Sequence, residues 1–222
     1  MSEPIAAFQA RTHRLVNSRY PPIDVFEGHG SPVDIAAALE LEGATNDRLT
    51  RAHMIPYEDW AVGAGAGYAM AAFLHPSPNG GRFNGPELGA WYCSTQRHTA
   101  IKETVYHNTR RLRASAGGFP AQMQMRELVS TPAADLIDLR GHRHTRPDLY
   151  DLADYRRSQE FGEKRRKSGI DGIWYESVRA AGGNNVAIFK PRLLVPVIQG
   201  DHFQYDWDHG GCAQIHRLTN VA

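Results

Sequence analysis

The chain has 222 residues, of which 41% are hydrophobic and 22% are charged, so it can bury one good core, and a single domain over residues 1–222 is predicted. Its 25 basic and 24 acidic residues leave a formal net charge of +1 at pH 7, which argues against a broad basic surface and against direct binding to nucleic acid. We find neither a signal-peptide pattern nor an apolar stretch long enough to span a membrane. The two cysteines, Cys93 and Cys212, fit a reducing compartment, and we expect a soluble cytoplasmic protein.

The eleven histidines raise the question of a metal site. The densest group, His142-Arg143-His144, lies in a polar segment with no carboxylate or cysteine at ligand spacing. The sequence contains no His-Glu-x-x-His and no paired Cys-x-x-Cys pattern. We therefore expect no metal and no other cofactor. The basic runs Arg110–Arg113 and Lys164–Lys167 are interpreted as solvated helix faces.

In chain order, the first part of the sequence predicts one short strand and then a long insert. His13–Val16 is predicted to be a first strand, and Ser31–Asp34, with Pro at the second position, predicts a helix start. Val62–Tyr68 contains alternating glycines without the G-x-G-x-x-G spacing, so we interpret it as a flexible loop that leads into the apolar run Tyr68–Leu74. A mostly helical or looped insert is thus predicted at about residues 17–75.

The second part predicts interleaved strands and helices, as in a mixed α and β fold. Ala90–Cys93 predicts a strand, and Ser94 or Thr95 is expected to cap the next helix, which Gly117-Gly118 would end. That helix would carry Ile101, Val105 and Leu112 on one face. Strands are then predicted near Met123–Val129 and Leu136–Leu139, followed by a polar helix over about Ala153–Ser168 that stops at Gly169. Ile173–Tyr175 and Val186–Phe189 are predicted to form a hairpin around Gly182-Gly183. The chain finishes with the segments Arg192–Val197 and His202–Trp207.

Several polar residues around the predicted strand at Ala90–Cys93 could line a ligand cleft. The glycine pair before Arg82 would let the backbone approach a ligand, and Arg82 could hold a phosphate or ribose through its planar fork. Tyr92 could stack on an aromatic base, and Glu103 follows in the next helix.

Each of these residues also has an ordinary structural interpretation. Glu103 could pair with His107 or Arg110 on its own helix. Tyr92 could be a core aromatic, Arg82 could lie in a surface turn, and Ser177 could be a common turn serine. Spacing and residue type alone predict only a ligand cleft.

The order of these residues resembles the RES domain family, which takes its name from an Arg, a Glu and a Ser. The resemblance covers roughly residues 10–205. It is carried by Arg14, Gly81-Arg82-Phe83-Asn84, Tyr92, Glu103, and the two later segments Asp171–Ser177 and Asn185–Pro191.

The resemblance implies a single compact domain of the α/β (α+β) class that is similar to ADP-ribosyltransferase toxins, with a twisted, mainly antiparallel sheet and flanking helices. It implies that NAD is bound as a substrate in a cleft and is destroyed by hydrolysis or phosphorolysis. It further implies a toxin of a type II toxin–antitoxin system, whose partner is an antitoxin with a DNA-binding domain. Two alternatives stay open: a mono-ADP-ribosyltransferase acting on a specific protein, and an inactive module that binds a nucleotide or the antitoxin.

Carried over residue by residue, the resemblance implies a catalytic set of Glu103, Arg82 and Tyr92, and an NAD-binding set of Arg14, Arg82, Tyr92 and Ser177. The arginines would hold the pyrophosphate and ribose, and Tyr92 would orient the nicotinamide ring. Glu103 would stabilise the cation that forms as nicotinamide leaves, and Ser177 would donate a hydrogen bond to the nicotinamide amide or a ribose hydroxyl. The long insert between Arg14 and Arg82 departs from shorter family members, and it could cover the cleft, hold a partner or build a homo-oligomer contact.

Overall fold

A nine-stranded sheet organises the part of the chain that the computed structural model describes, residues 3–20 and 49–219. The strands are β1 (Ile5–Gln9), β2 (Thr12–Asn17), β3 (Trp91–Ser94), β4 (Ala121–Ser130), β5 (Ala133–Asp138), β6 (Gly172–Glu176), β7 (Asn184–Ile188), β8 (Ile198–Trp207) and β9 (Ala213–Leu218). Their order in the sheet is β1-β5-β6-β7-β3-β2-β4-β8-β9, and of these pairs only β5 and β6 are parallel. The predicted α/β (α+β) class with a mainly antiparallel sheet is confirmed.

The strand predictions hold in the middle of the sheet and miss its two edges. The predicted strand His13–Val16 lies within β2, and the predicted hairpin corresponds to β6 and β7, which pair antiparallel. However, His13–Val16 is not the first strand, because β1 precedes it and pairs with β5. The last strand, β9, is mostly exposed and pairs only with β8, so it has little of the apolar alternation that marks a half-buried strand.

Three α-helices flank the sheet within the described residues: α1 (Ala66–Leu74), α2 (Arg97–Arg113) and α3 (Arg156–Lys167). The loop predicted over Val62–Tyr68 is wrong in its last residues, because α1 begins at Ala66, directly after Gly65 in the left-handed region at φ 74°. The rest of the described insert contains short 3-10 turns at Leu49–Met54 and Tyr57–Asp59. The helix predicted from Ser31 lies outside the described residues.

The predicted boundaries of α2 are wrong at both ends. Ser94 is the last residue of β3, and its hydroxyl donates a hydrogen bond to Asn185 instead of capping α2. The N-cap position of α2 is Gln96, whose side chain makes no capping hydrogen bond. The helix ends at Arg113, before the glycine pair that was predicted to stop it.

The predicted start of α3 is wrong, and its predicted end is confirmed. The carboxylate of Asp151 accepts hydrogen bonds from the backbone N–H of Ala153 and Asp154, which forms a turn where a helix start was predicted. The helix therefore begins at Arg156, and it stops before Gly169, which has φ 85°.

The helices cover opposite faces of the sheet. α1 packs on one face, in a core cluster that contains Trp91, Cys93 and Val186. On the other face, residues of α2 pack with Leu15 and Tyr205, while Phe161 of α3 packs against a second cluster. Because side chains alternate along a strand, Tyr92 of β3 points away from the α1 face, towards the region between α2 and α3.

The sheet is weakly joined at its centre, between β2 and β3. These strands share only the pair His13 and Ser94, whereas the next strands along the sheet pair over their full length. The guanidinium of Arg14 bridges this junction, since its Nη1 donates to the backbone oxygen of Tyr92 at 2.9 Å. A side chain thus supplies a contact where the main-chain ladder stops.

A buried carboxylate ties the first turn of α2 to β2, β4 and β8. Glu127 on β4 is fully buried and accepts two hydrogen bonds from Arg97, at 2.8 and 2.9 Å. His13 Nδ1 lies 2.5 Å from the same carboxylate, and the backbone N–H of Asp201 donates to it at 3.1 Å. Helix α2, which carries Glu103, is therefore anchored at its N-terminal end.

Candidate active site

The carboxylate of Glu103 lies where α2 faces the β6–β7 hairpin. Its Oε1 atom accepts a hydrogen bond from Ser177 Oγ and another from Asn185 Nδ2, each at 2.7 Å. Its Oε2 atom lies 3.8 Å from Nε2 of His107, one helical turn further along α2. The sequence-predicted Glu103 and Ser177 are therefore in direct contact.

Neighbouring groups take up all of the hydrogen-bonding capacity of the Ser177 hydroxyl. It accepts hydrogen bonds from the backbone N–H of Arg179 and of Ala180, at 3.0 and 2.9 Å. A serine hydroxyl has two lone pairs and one proton, so its proton is left for Glu103. In this arrangement Ser177 holds the carboxylate and has no proton left for a hydrogen bond to a substrate.

The β6–β7 turn reaches α2 because Gly183 has no side chain. A Cβ at Gly183 would lie 2.4 Å from Oγ1 of Thr99 on α2. The backbone oxygen of Gly183 accepts from the N–H of Ser177 at 2.8 Å, which closes the turn. The close approach of Gly183 to α2 thus places Ser177 within hydrogen-bond distance of Glu103.

The phenol of Tyr92 is held inside the loop that precedes β3. Its hydroxyl donates to Oδ1 of Asn84 and accepts from the backbone N–H of Phe83, both at 2.8 Å. A Cβ at Gly81 would lie 2.6 Å from that hydroxyl, so the glycine allows the loop to wrap around the ring. Burial raises the pKa of Tyr92, which keeps the phenol neutral.

Arg82 is buried and anchored by backbone oxygens. Its Nη1 donates to the oxygen of Leu149 at 3.0 Å and to that of Asp151 at 2.9 Å. Its guanidinium carbon lies 4.6 Å from the ring centre of Tyr155, beside the start of α3. Arg82 therefore fixes the segment before α3, in addition to any role towards a ligand.

Electrostatic interactions connect Arg82 and Tyr92 with Glu103 through the buried Tyr175. Burial, and then the negative charge of Glu103, raise the pKa of Tyr175 well above its usual range. The positive charge of Arg82 acts on the same phenol in the opposite direction, and Tyr92 packs against the cluster that contains Tyr175. Burial lowers the pKa of His107, while Glu103 acts in the opposite direction and Arg82 adds to the lowering. Four of the five predicted residues, Arg82, Tyr92, Glu103 and Ser177, thus belong to one neighbourhood.

Arg14 is not brought together with these four residues. Its guanidinium carbon lies 4.9 Å from the ring centre of Trp91, which belongs to the core on the α1 face. Burial lowers the pKa of Arg14 to about 10. The side chain thus lies on the sheet face opposite Tyr92 and Glu103, and its expected contact with NAD stays a prediction.

An open groove of about 1170 Å³ runs along α2 beside the Glu103 site. Its apolar lining includes Ile101, Val105, Phe203 and Ile215. Basic side chains also line it, and no Asp or Glu is among its described lining residues: the basic members are His98, Lys102, Arg110, Arg113, Arg179 and Arg217. Glu103 and Ser177 do not line the groove themselves, but Lys102 directly precedes Glu103 in the chain and Arg179, whose guanidinium stacks on Tyr106 at 3.5 Å, lies two residues after Ser177.

Sequence reasoning missed three residues of the site, Ser94, Tyr175 and Asn185. Ser94 was expected to cap a helix, but its hydroxyl donates to Oδ1 of Asn185 at 2.6 Å. A signal was present at Asn185, because asparagine is depleted in strands and this one stands in β7 immediately before the apolar run Val186–Phe189. A buried polar residue in such a run needs a hydrogen-bond partner, and here it has two.

The described residues contain no group of three or more His, Cys, Asp or Glu side chains that could hold a metal ion. None of the helices in residues 3–20 and 49–219 is long and apolar enough to cross a membrane.

The fold and site define a mixed α/β protein with a hydrogen-bonded carboxylate next to a basic groove. The family model of the RES domain matches residues 58–208, which is more than half of the chain. This chain therefore belongs to the RES domain family. The match includes Arg82, Tyr92, Glu103 and Ser177, and Arg14 lies outside it.

Two further comparisons find proteins that are similar to this chain. It is 26% identical over 204 residues to the uncharacterized protein y4oC of Sinorhizobium fredii (strain NBRC 101917 / NGR234), covering 91% of this chain and 85% of that protein. It is also similar to a chain in the crystal structure of the M. tuberculosis MbcT–MbcA toxin–antitoxin complex, with a TM-score of 0.48 and 12% identity, over 92% of this chain and 87% of the other.

Proposed function

We propose that this RES-family protein cleaves the nicotinamide–ribose bond of NAD, by hydrolysis or phosphorolysis, and acts as the toxin of a type II toxin–antitoxin system. The observation that carries the proposal is the state of Glu103: one carboxylate oxygen is held by two donors, and the other lies near His107 without a hydrogen bond from the described residues. Such a carboxylate is oriented in advance for an interaction with a developing positive charge.

Cleavage of this bond passes through a transition state that resembles an oxocarbenium ion. Positive charge grows on the ribose while nicotinamide leaves as a neutral molecule. The leaving group needs no proton, so one carboxylate can suffice where ordinary glycosidases use two. Glu103 would stabilise the ribose cation or bind a ribose hydroxyl, and the acceptor, water or phosphate, would then attack the anomeric carbon.

The remaining predicted residues take roles that their contacts allow. The hydroxyl of Tyr92 is already bonded to Asn84 and Phe83, so the face of its ring is what it can offer to the nicotinamide. Arg82 uses Nη1 for backbone oxygens, which leaves its other nitrogens for a phosphate or ribose. Ser177 would act by holding Glu103.

The basic groove beside Glu103 is where we place the rest of the dinucleotide. Ligand sites in proteins commonly have volumes of about 300–1,000 Å³, and the groove offers about 1170 Å³. Lys102 and Arg179 line it close to Glu103 and Ser177, where they would meet the negatively charged pyrophosphate. Arg14 lies on the opposite face of the sheet from Glu103, so its predicted contact with the pyrophosphate would require a rearrangement of the structure.

An antitoxin that carries a DNA-binding domain is part of this proposal, because it is what the RES resemblance implies. Depletion of NAD would act in the cytoplasm, where the toxin and its partner would meet. Any contact with DNA would then belong to the antitoxin, in keeping with the near-zero net charge of this chain.

The decisive experiment is nicotinamide release from NAD by the purified protein, freed of any partner and assayed with and without phosphate. Release that requires phosphate would indicate phosphorolysis, and release without it would indicate hydrolysis. Labelled NAD incubated with cell lysate would leave label on protein only if the chain were a mono-ADP-ribosyltransferase. Folded protein that does neither would be the inactive binding module, and the proposal would fail.

A further inference from the structure

The two oxygens of Glu103 have different surroundings. Oε1 receives hydrogen bonds from Ser177 and Asn185, which occupy both of its lone pairs. Oε2 receives no hydrogen bond from the described residues, and Nε2 of His107 lies 3.8 Å from it, beyond hydrogen-bond distance. The Glu103 side chain is 19% exposed, and Oε2 is not among the buried polar atoms that lack a partner in the described residues, so this second oxygen is open to a ligand.

The orientation of Asn185 is set from both ends of its amide. The hydroxyl of Ser94 donates to Oδ1 at 2.6 Å, and the carboxylate of Glu103, which can only accept, faces Nδ2 at 2.7 Å. Ser94 and Asn185 are directly opposite each other on β3 and β7, and both side chains are buried. A flipped amide would place its oxygen against the oxygen of Glu103, so only one orientation is favourable.

We propose that Asn185, fixed by Ser94, is a positioning residue that holds Glu103 through Oε1 and thereby makes Oε2 the oxygen that faces the ribose. This inference rests on the proposed cleavage of NAD. A carboxylate with two equivalent oxygens would rotate about its last torsion, and part of the catalytic effect would be lost in orienting it. With Oε1 locked by Ser177 and Asn185, the free oxygen keeps one position before the substrate arrives.

Asn185 could instead only tie α2 to the sheet, and a suitable substitution separates the two roles. In Asn185→Asp the new carboxyl keeps the shape of the amide and can still accept from Ser94. While ionised it repels Glu103, but once protonated it can donate to Oε1 as the amide does. The other ionisable groups that interact with Glu103 are His107 and Tyr175, and the charges of Arg179, Arg82 and Arg110 act on His107 in turn. All of these groups are unchanged in the variant.

The test is the pH profile of nicotinamide release for wild type, Asn185→Ala, Asn185→Asp and Ser94→Ala, with kcat and KM measured separately. Loss of a residue that orients a functional ligand commonly costs about 10- to 100-fold in activity, by analogy with outer-shell partners of metal ligands. We expect a loss of this size in kcat for Asn185→Ala, with little change in KM, and a smaller loss for Ser94→Ala. For Asn185→Asp we expect activity relative to wild type to rise as the pH falls.

Each outcome has one meaning. If wild type releases no nicotinamide, the proposed function itself fails. If wild type is active and Asn185→Ala keeps its kcat, Asn185 is not a positioning residue. If Asn185→Ala is too unstable to assay, the other two variants decide: wild-type kcat in Ser94→Ala together with an Asn185→Asp profile parallel to wild type would overturn the inference.

Discussion

Ser177 donates the only proton of its hydroxyl to Oε1 of Glu103 across 2.7 Å, while two backbone N–H groups fill its lone pairs. Ser177 and Glu103 are therefore held together as one hydrogen-bonded unit. Glu103 comes from a helix and Ser177 from the turn of a hairpin, so the unit depends on the way α2 sits on the sheet.

Removing the charge of Glu103 while keeping its shape should abolish most of the activity. In Glu103→Gln the side-chain oxygen can still accept from Ser177 and Asn185, so the fold should persist. The neutral amide cannot stabilise the ribose cation, and we expect nicotinamide release to fall about 100- to 1,000-fold. Thermal unfolding checks the fold, and Glu87→Gln, at an exposed carboxylate, is the matched control. Wild-type turnover in Glu103→Gln would exclude this glutamate from the chemistry.

Replacing Ser177 should weaken both stability and activity. In Ser177→Ala the N–H groups of Arg179 and Ala180 lose their acceptor, and a buried donor without a partner costs about 1–3 kcal/mol. Urea unfolding measures this loss, and Ser115→Ala, at an exposed serine, is the control. We expect a smaller fall in nicotinamide release than in Glu103→Gln, because Asn185 still holds the carboxylate. Unchanged stability would show that the turn does not depend on this hydroxyl.

A methyl group at Gly183 should disturb the site by pushing the β6–β7 turn away from α2. The added Cβ would lie 2.4 Å from Oγ1 of Thr99, and one of the two must move. We expect Gly183→Ala to lower nicotinamide release and the double variant with Thr99→Ala to recover part of it. At Gly117 a Cβ would meet nothing within 4 Å, so Gly117→Ala should behave as wild type. Equal activity in all three variants would show that the close approach of this turn is not needed.

The sequence predicted the central elements, and the family resemblance pointed to Glu103 and Ser177 as separate site residues, but neither predicted that the two side chains contact each other or how they are supported. Local patterns identify β2 and the β6–β7 hairpin because half-buried strands and turn glycines leave a periodic signal. The partner of Asn185 depends on the register of β3 and β7, and the sheet face that Arg14 occupies depends on where β2 lies. Such pairings between distant segments cannot be predicted from a local sequence pattern.

Arg82 should contribute to stability as well as to NAD binding. In Arg82→Ala the oxygens of Leu149 and Asp151 lose a charged donor, and such hydrogen bonds contribute about 1.5–3 kcal/mol. We therefore expect a lower free energy of unfolding together with a raised KM for NAD. Arg143→Ala, at an exposed arginine, is the control for the loss of one positive charge. A variant that is destabilised but saturates with NAD as wild type does would leave Arg82 only its structural role.

The buried carboxylate of Glu127 should make stability depend on pH. Burial by itself raises the pKa of Glu127, but the hydrogen bonds from Arg97 and His13 outweigh it and hold the pKa below its usual 4.5. The unfolded chain therefore takes up the proton first, so the stabilisation is complete above about pH 4.5 and is lost as the pH falls through the lower, folded-state pKa. Glu127→Gln should be less stable than wild type above that pH, and the two should converge in acid.

Urea unfolding of wild type and Glu127→Gln over a series of pH values tests this expectation. Other carboxylates, among them Asp138 and Asp148, also have lowered pKa values, so the variant keeps part of the acid sensitivity. The informative quantity is the difference in unfolding free energy between the two proteins, which should shrink as the pH falls. Glu160→Gln, at an exposed surface carboxylate, should give a small difference with little dependence on pH. A constant difference between wild type and Glu127→Gln across the acid range would show that the ionisation of Glu127 does not stabilise the anchor of α2.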